Sequence, residues 1–172
     1  MPSAGRPADP AARWYAVVDT AQDPALHGLV TRCAEHACIV SGELDPVLAA
    51  ALPWVVALDP HEPLTREWRS LGEGRNWGIM MQSAMPLGQV RLLFKTFLNT
   101  MLPDGRMVLF RFYDPRVFRA FIRAAKPQER AEWFRGIARY SVESEQPGQY
   151  HDFTLRDGQL FDRGQPVHGV PA

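Results

Sequence analysis

Apolar and polar residues follow one another along this chain in short blocks, and the length of each block indicates the element it forms. "RWYAVV", starting at Arg13, is an aromatic and β-branched run too short for a helix, and it reads as a buried strand. Asp23-Pro24 then opens a helix to about Glu35, with the aspartate as N-cap and the proline in the first turn, where its missing N–H costs nothing. "ACIVSG" is a second strand, Asp45-Pro46 opens a short Ala/Leu helix, and "WVVALD" is a third strand. Pro63 to Leu71 reads as a helix closed by Gly72, and "WGIMMQS" as a fourth strand.

The clearest helix runs from Pro86 to Met101. Leu87, Val90, Phe94, Phe97, Leu98 and Met101 share one face, with Arg91, Lys95 and Asn99 on another. Pro103-Asp104-Gly105 turns into a strand from Met107 to Tyr113. Helices follow from Pro115 and near Pro127, then a strand "IARYSV" and a hairpin from Tyr150 to Phe161 around Asp157-Gly158. Strands alternating with helices predict a single α/β domain with a mixed, partly parallel sheet flanked by helices. The expected boundaries are a disordered Pro/Ala leader over 1–12, the α/β domain over 13–142, and a polar tail over 143–172 with the hairpin at 150–161.

A chain of 172 residues with 46% hydrophobic content is large enough to bury a core, and no apolar run reaches the roughly 20 residues of a membrane span. The N-terminus lacks the apolar stretch of a secretory signal, so the cytoplasm is the expected compartment. Cys33 and Cys38 read as packing thiols, because C-x4-C alone is a poor zinc signature. A formal net charge of +0 removes the electrostatic case for nucleic acid or an anionic membrane. The charge is nevertheless segregated. Trp14 to Glu67 holds eight acids against Arg32 and Arg66, whereas Arg111 to Arg139 holds eight basic residues against Asp114, Glu129 and Glu132. A dipolar distribution of this kind suits oriented protein–protein encounter.

Three strand-like runs end in aspartate, at Asp19, Asp59 and Asp114. Ligands of α/β proteins collect at the carboxyl ends of strands, so convergence of the three would make a divalent-metal site of the phosphohydrolase type. Proline follows Asp59 and Asp114, as it follows Asp23 and Asp45, and Asp-Pro is also the local chemistry of a helix start. Capping accounts for most of these acids without a metal. "GEGRNWG", from Gly72, has its glycines after a helix and before a strand, the reverse of a phosphate-binding turn, and reads as a tight connection with Trp77 packed inside. The five histidines show no zinc spacing, and no serine sits in a nucleophile elbow. No cofactor or resident metal is expected.

"LFRFYDPRVFRAF", Leu109 to Phe121, joins these themes. In a strand, Leu109, Arg111 and Tyr113 share a face, so Arg111 sits in an apolar setting and needs an acidic partner: Asp114, Asp19 or Asp59. Arg111 and Asp114 are therefore expected as a structural ion pair or helix cap. After Pro115, Arg116, Arg119 and Arg123 form one stripe opposite Val117, Phe118, Phe121 and Ile122, and are the candidate partner-binding residues.

Four blocks in order, "YAVVDTAQDPALHGLV", "GELDPVLAAALPWVVALDP", "GEGRNWGI" and "LPDGRMVLFRFYDPRVFRAF", resemble a bacterial family of unknown-function domains known as type VI secretion adaptors or effector chaperones. The likeness spans about Tyr15 to Val142. It implies a cytoplasmic, non-enzymatic protein that binds a secreted toxin effector and helps load it onto the VgrG spike without being cargo itself. Many family members carry a helical extension after this domain, where this chain has its polar tail. Beside this stands the alternative of a metal-dependent phosphohydrolase or phosphate-binding enzyme using Asp19, Asp59 and Asp114. The effector's identity and the oligomeric state stay open.

Overall fold

The computed structural model describes residues 11–101 and 104–167, apart from the side chain of residue 100. The leader expected over 1–12 lies outside these residues but for its last two. In chain order the elements are β1 (Arg13–Asp19), α1 (Leu26–Thr31), β2 (His36–Cys38), α2 (Pro46–Ala49), β3 (Pro53–Ala57), α3 (Pro63–Leu71) and β4 (Gly78–Ser83). There follow α4 (Leu87–Phe97), β5 (Asn99–Met101), β6 (Met107–Leu109), α5 (Pro115–Ala124), α6 (Pro127–Trp133), β7 (Ile137–Glu143), β8 (Tyr150–Arg156), β9 (Gln159–Asp162) and β10 (Gln165–Pro166).

Eight strands form one sheet in the order β10-β9-β8-β7-β4-β1-β3-β2, and β5 and β6 make a separate two-stranded ribbon. Every pairing between described strands is antiparallel. The expectation of a mixed, partly parallel sheet is therefore wrong. Its error lies in the step from alternation to direction. β3 and β4 do run the same way with α3 between them, but β1 lies between the two and pairs antiparallel with both. The two like-directed strands never become neighbours. From Glu143 onward, β8 and β9 pair in turn outside β7, so the segment expected as a polar tail extends the main sheet. The hairpin turns at Asp157 and Gly158, whose φ of 49° and 77° give the left-handed pair that a two-residue turn requires.

Alternating side chains of the sheet feed two cores. Tyr15, Val17, Val55, Ile79, Met81, Tyr140, Val142 and Phe153 face one way, against Val90 and Phe94 of α4, Phe118 and Ile122 of α5, and Trp133. Ala16, Val18 and Val56 face the other way, against Leu26 and Val30 of α1, Leu64 and Trp68 of α3, and Trp77. Gly78 makes the close approach of β4 to β1 possible, because a Cβ there would meet Val17 O at 2.0 Å. The second core takes nothing from β7, β8 or β9, so on that face the helix layer stops at α3.

Several element boundaries differ from expectation, two of them around the ribbon. The helix expected to Met101 ends at Phe97, because the chain turns into the ribbon, where Met101 pairs with Met107. The strand expected to Tyr113 ends at Leu109. Beyond it, Phe112 stacks on Phe94 at 5.3 Å and meets Trp133 edge-on at 5.2 Å. Aromatic packing buries this stretch without strand pairing, which an apolar run alone does not distinguish.

Candidate functional site

The strand-end aspartates are governed by the sheet's direction. Asp19 ends β1 opposite Pro53, the start of β3, while Tyr15 lies opposite Ala57. Antiparallel pairing thus sends Asp19 and Asp59 to opposite ends of the sheet, and the three carboxylates of the phosphohydrolase alternative do not converge. Among the described residues, no three His, Cys, Asp or Glu side chains stand where they could hold a metal ion. Asp19, almost fully buried, accepts 2.6 Å from Arg111 Nη2 and 2.9 Å from Gln22 Nε2. Asp59 Oδ1 accepts from the His61 main-chain N–H at 2.8 Å, in the turn before α3.

Asp114 caps α5 by accepting from Arg116 N at 2.9 Å, and its other oxygen accepts 2.6 Å from Arg116 Nη2. Burial works to raise its pKa, but the hydrogen bonds from Arg116 outweigh it and hold the carboxyl below its ordinary value. Asp45 caps α2 in the same manner, bonding Val47 N and Leu48 N. Asp23 forms an Asx turn to Ala25 N and accepts from Arg75 Nη1 at 3.4 Å rather than capping the helix, and α1 begins a little later than expected, at Leu26.

Arg116, Arg119 and Arg123, the expected partner-binding stripe of α5, all make bonds within the chain. Arg119 is 6% exposed. Its Nη1 donates to the Glu143 carbonyl and its Nε to Glu145 Oε1 at 3.1 Å. Arg123 lies over the Phe153 ring and reaches Asp162 Oδ2 at 3.4 Å, beside His151, whose Nδ1 is 2.6 Å from the same carboxylate oxygen. Arg116 is the most exposed of the three and is bonded to Asp114. The helical spacing is as expected. What turns Arg119 and Arg123 inward is the β7–β8 connection and the β8–β9 hairpin, which return over α5 from far along the chain.

The feature that sequence reading missed is a groove of about 440 Å³ where the helix layer stops. α3 supplies one wall through Thr65, Trp68 and Arg69, spaced i, i+3 and i+4, with Glu73 just beyond the helix. The sheet supplies Trp14, Met80, Ser141 and Tyr150, one from each of four adjacent strands, and Leu58 and Pro60 close one side. Most of this surface is aromatic or aliphatic. Thr65 Oγ1, in a residue 8% exposed, has no hydrogen-bond partner among the described residues. Trp68 Nε1 likewise forms no bond of good geometry, although the indole tempers the upward push that burial and Glu143 give the Tyr150 hydroxyl. Arg69 and Glu73 are exposed and make no ion pair with any described residue. Only the α3 spacing is legible in the sequence, because the other lining residues lie far apart along the chain.

A second exposed apolar surface lies on the β5–β6 ribbon. Asn99 pairs with Leu109 and Met101 with Met107, so these four share one face. Met101 and Met107 are 67% and 60% exposed.

A family model described as "Domain of unknown function (DUF4123)" matches residues 14–132. No curated protein and no solved structure is significantly similar to the chain. Among the described residues, no helix is long and apolar enough to cross a membrane.

Proposed function

The chain belongs to the DUF4123 family, and from that premise we propose that it is a non-enzymatic, cytoplasmic adaptor of a bacterial type VI secretion system. In this reading it binds a secreted toxin effector and helps load it onto the VgrG spike. The four sequence blocks that resemble secretion adaptors support it. The observation that carries it is the groove beside α3: a mostly apolar, half-open surface with unpartnered polar groups in its walls. Such a lining suits recognition of another molecule. The polar side chains best placed by motif for chemistry, Asp19, Asp114, Arg111 and Arg119, are instead bonded to one another or to the main chain.

The test is purification of the protein from the bacterium that makes it, with identification of what accompanies it. One toxin and a spike protein, enriched in stoichiometric amounts and lost from the secreted fraction when the gene is deleted, are the expected result. Secretion of every toxin unchanged in the deletion strain refutes the reading.

A further inference from the structure

The groove has features that specify the kind of ligand it takes. Its floor is sheet and its wall is a helix face, and beyond Ser141 and Tyr150 the same face of β7 and β8 carries no helix. A ligand seated in the groove thus has room to continue along the sheet, as a chain does and a compact small molecule does not need to. Trp14, Trp68, Tyr150 and Met80 offer flat and adaptable apolar surface, suited to a large apolar side chain. Within the same walls, Thr65 Oγ1 is both donor and acceptor and has no partner among the described residues, and Trp68 Nε1 is a donor that meets the Tyr150 hydroxyl without a bond of good geometry. A main-chain amide presents the complementary pair, one C=O and one N–H. On the rim, Arg69 and Glu73 stand about one helical turn apart with opposite charge and no ion-pair partner among the described residues.

We propose that this groove binds an extended peptide segment of a partner protein. One large apolar side chain seats between Trp14, Trp68 and Met80, an adjacent main-chain amide bonds Trp68 and Thr65, and an acidic and a basic residue flank the anchor to meet Arg69 and Glu73. The adaptor reading supplies the source of the segment, the effector, while the groove's chemistry stands apart from it.

A random dodecapeptide library displayed on phage, panned against the full chain, tests this before any partner is identified. The expected result is an enriched motif of one aromatic or branched apolar residue with an acid on one side and a base on the other. A synthetic peptide of that sequence then changes the tryptophan fluorescence and binds Thr65→Val about 2–10-fold more weakly, the loss of one hydrogen bond. The double variant Arg69→Glu, Glu73→Arg exchanges two exposed, unpaired charges and so keeps the fold, and it selects the motif with its charges reversed. Failure to enrich a motif, or a motif bound equally by both variants, overturns the proposal. So does a dimer in solution that the charge exchange dissociates, since that assigns the groove to a second copy. A peptide that behaves as expected while no effector accompanies the protein in the cell ends the adaptor reading and leaves the groove standing.

Discussion

Truncating Arg119 to alanine destabilises the protein by an amount that follows from its surroundings. The side chain is 8% exposed and reaches across from α5 to the end of β7. Its charged hydrogen bond to the Glu143 carbonyl contributes about 1.5–3 kcal/mol, and the carbonyl is left without that donor when the arginine is gone. The pair with Glu145 adds about 0–1 kcal/mol, because that carboxylate is 63% exposed and screened by water. The sum is about 1.5–4 kcal/mol. For a chain of this length, that lowers the Tm by about 3–16 °C. Arg135, paired with Glu132 where both side chains are more than 60% exposed, is the control, and Arg135→Ala moves the Tm by about 2 °C or less. Arg119→Met keeps much of the buried stem and falls between the two. Thermal and urea melts of the three variants decide the matter. An Arg119→Ala protein that melts within about 2 °C of the wild type refutes the account of α5 as an anchored helix.

Three further outcomes concern Thr65, Glu143 and Glu145. Thr65→Val leaves the free protein as stable or slightly more stable, since it removes a buried hydroxyl that has no partner among the described residues, and a fall in Tm of more than about 3 °C counts against the unpartnered geometry. Glu143 has its pKa raised, chiefly by burial, so its ionised form weighs against the fold as pH rises through and beyond the usual carboxylate range. Glu143→Gln therefore raises the Tm at pH 7 and flattens its decline as pH rises above the usual carboxylate range, as pH-dependent melts will show. Glu145 has the opposite sign: its own main-chain N–H and His151 hold its pKa down to about 2. Its contribution, small for so exposed a group, is complete above about pH 4.5 and is lost on acidification toward pH 2, a loss that Glu145→Gln abolishes in the same melts.

How much of the molecule is legible in the sequence depends on the range of the interactions involved. Asp45-Pro46, Asp114-Pro115 and Asp157-Gly158 lie at the expected helix starts and hairpin turn, because a cap or a two-residue turn is decided within a few residues. The direction of the sheet is not legible. β1 finds its partners in residues 53–57 and 78–83, and nothing within "RWYAVV" states which way they run. The burial of Arg119 is not legible for the same reason, since a helical wheel places it in a stripe but cannot contain the carbonyl of Glu143. The groove is the extreme case, assembled from Trp14, Trp68, Ser141 and Tyr150, which meet only after the sheet has formed.

Site-specific photo-crosslinking in the native bacterium tests most directly whether the groove beside α3 is where a partner is held. A photoreactive amino acid replaces Arg69 at the groove rim or, as the control, Arg135 after α6 on the opposite side of the sheet. On irradiation, position 69 forms a covalent adduct with one secreted toxin, mapped by mass spectrometry to a short segment carrying an apolar anchor, and position 135 forms none. A toxin adduct at position 135 and none at position 69, with both proteins folded, contradicts the account.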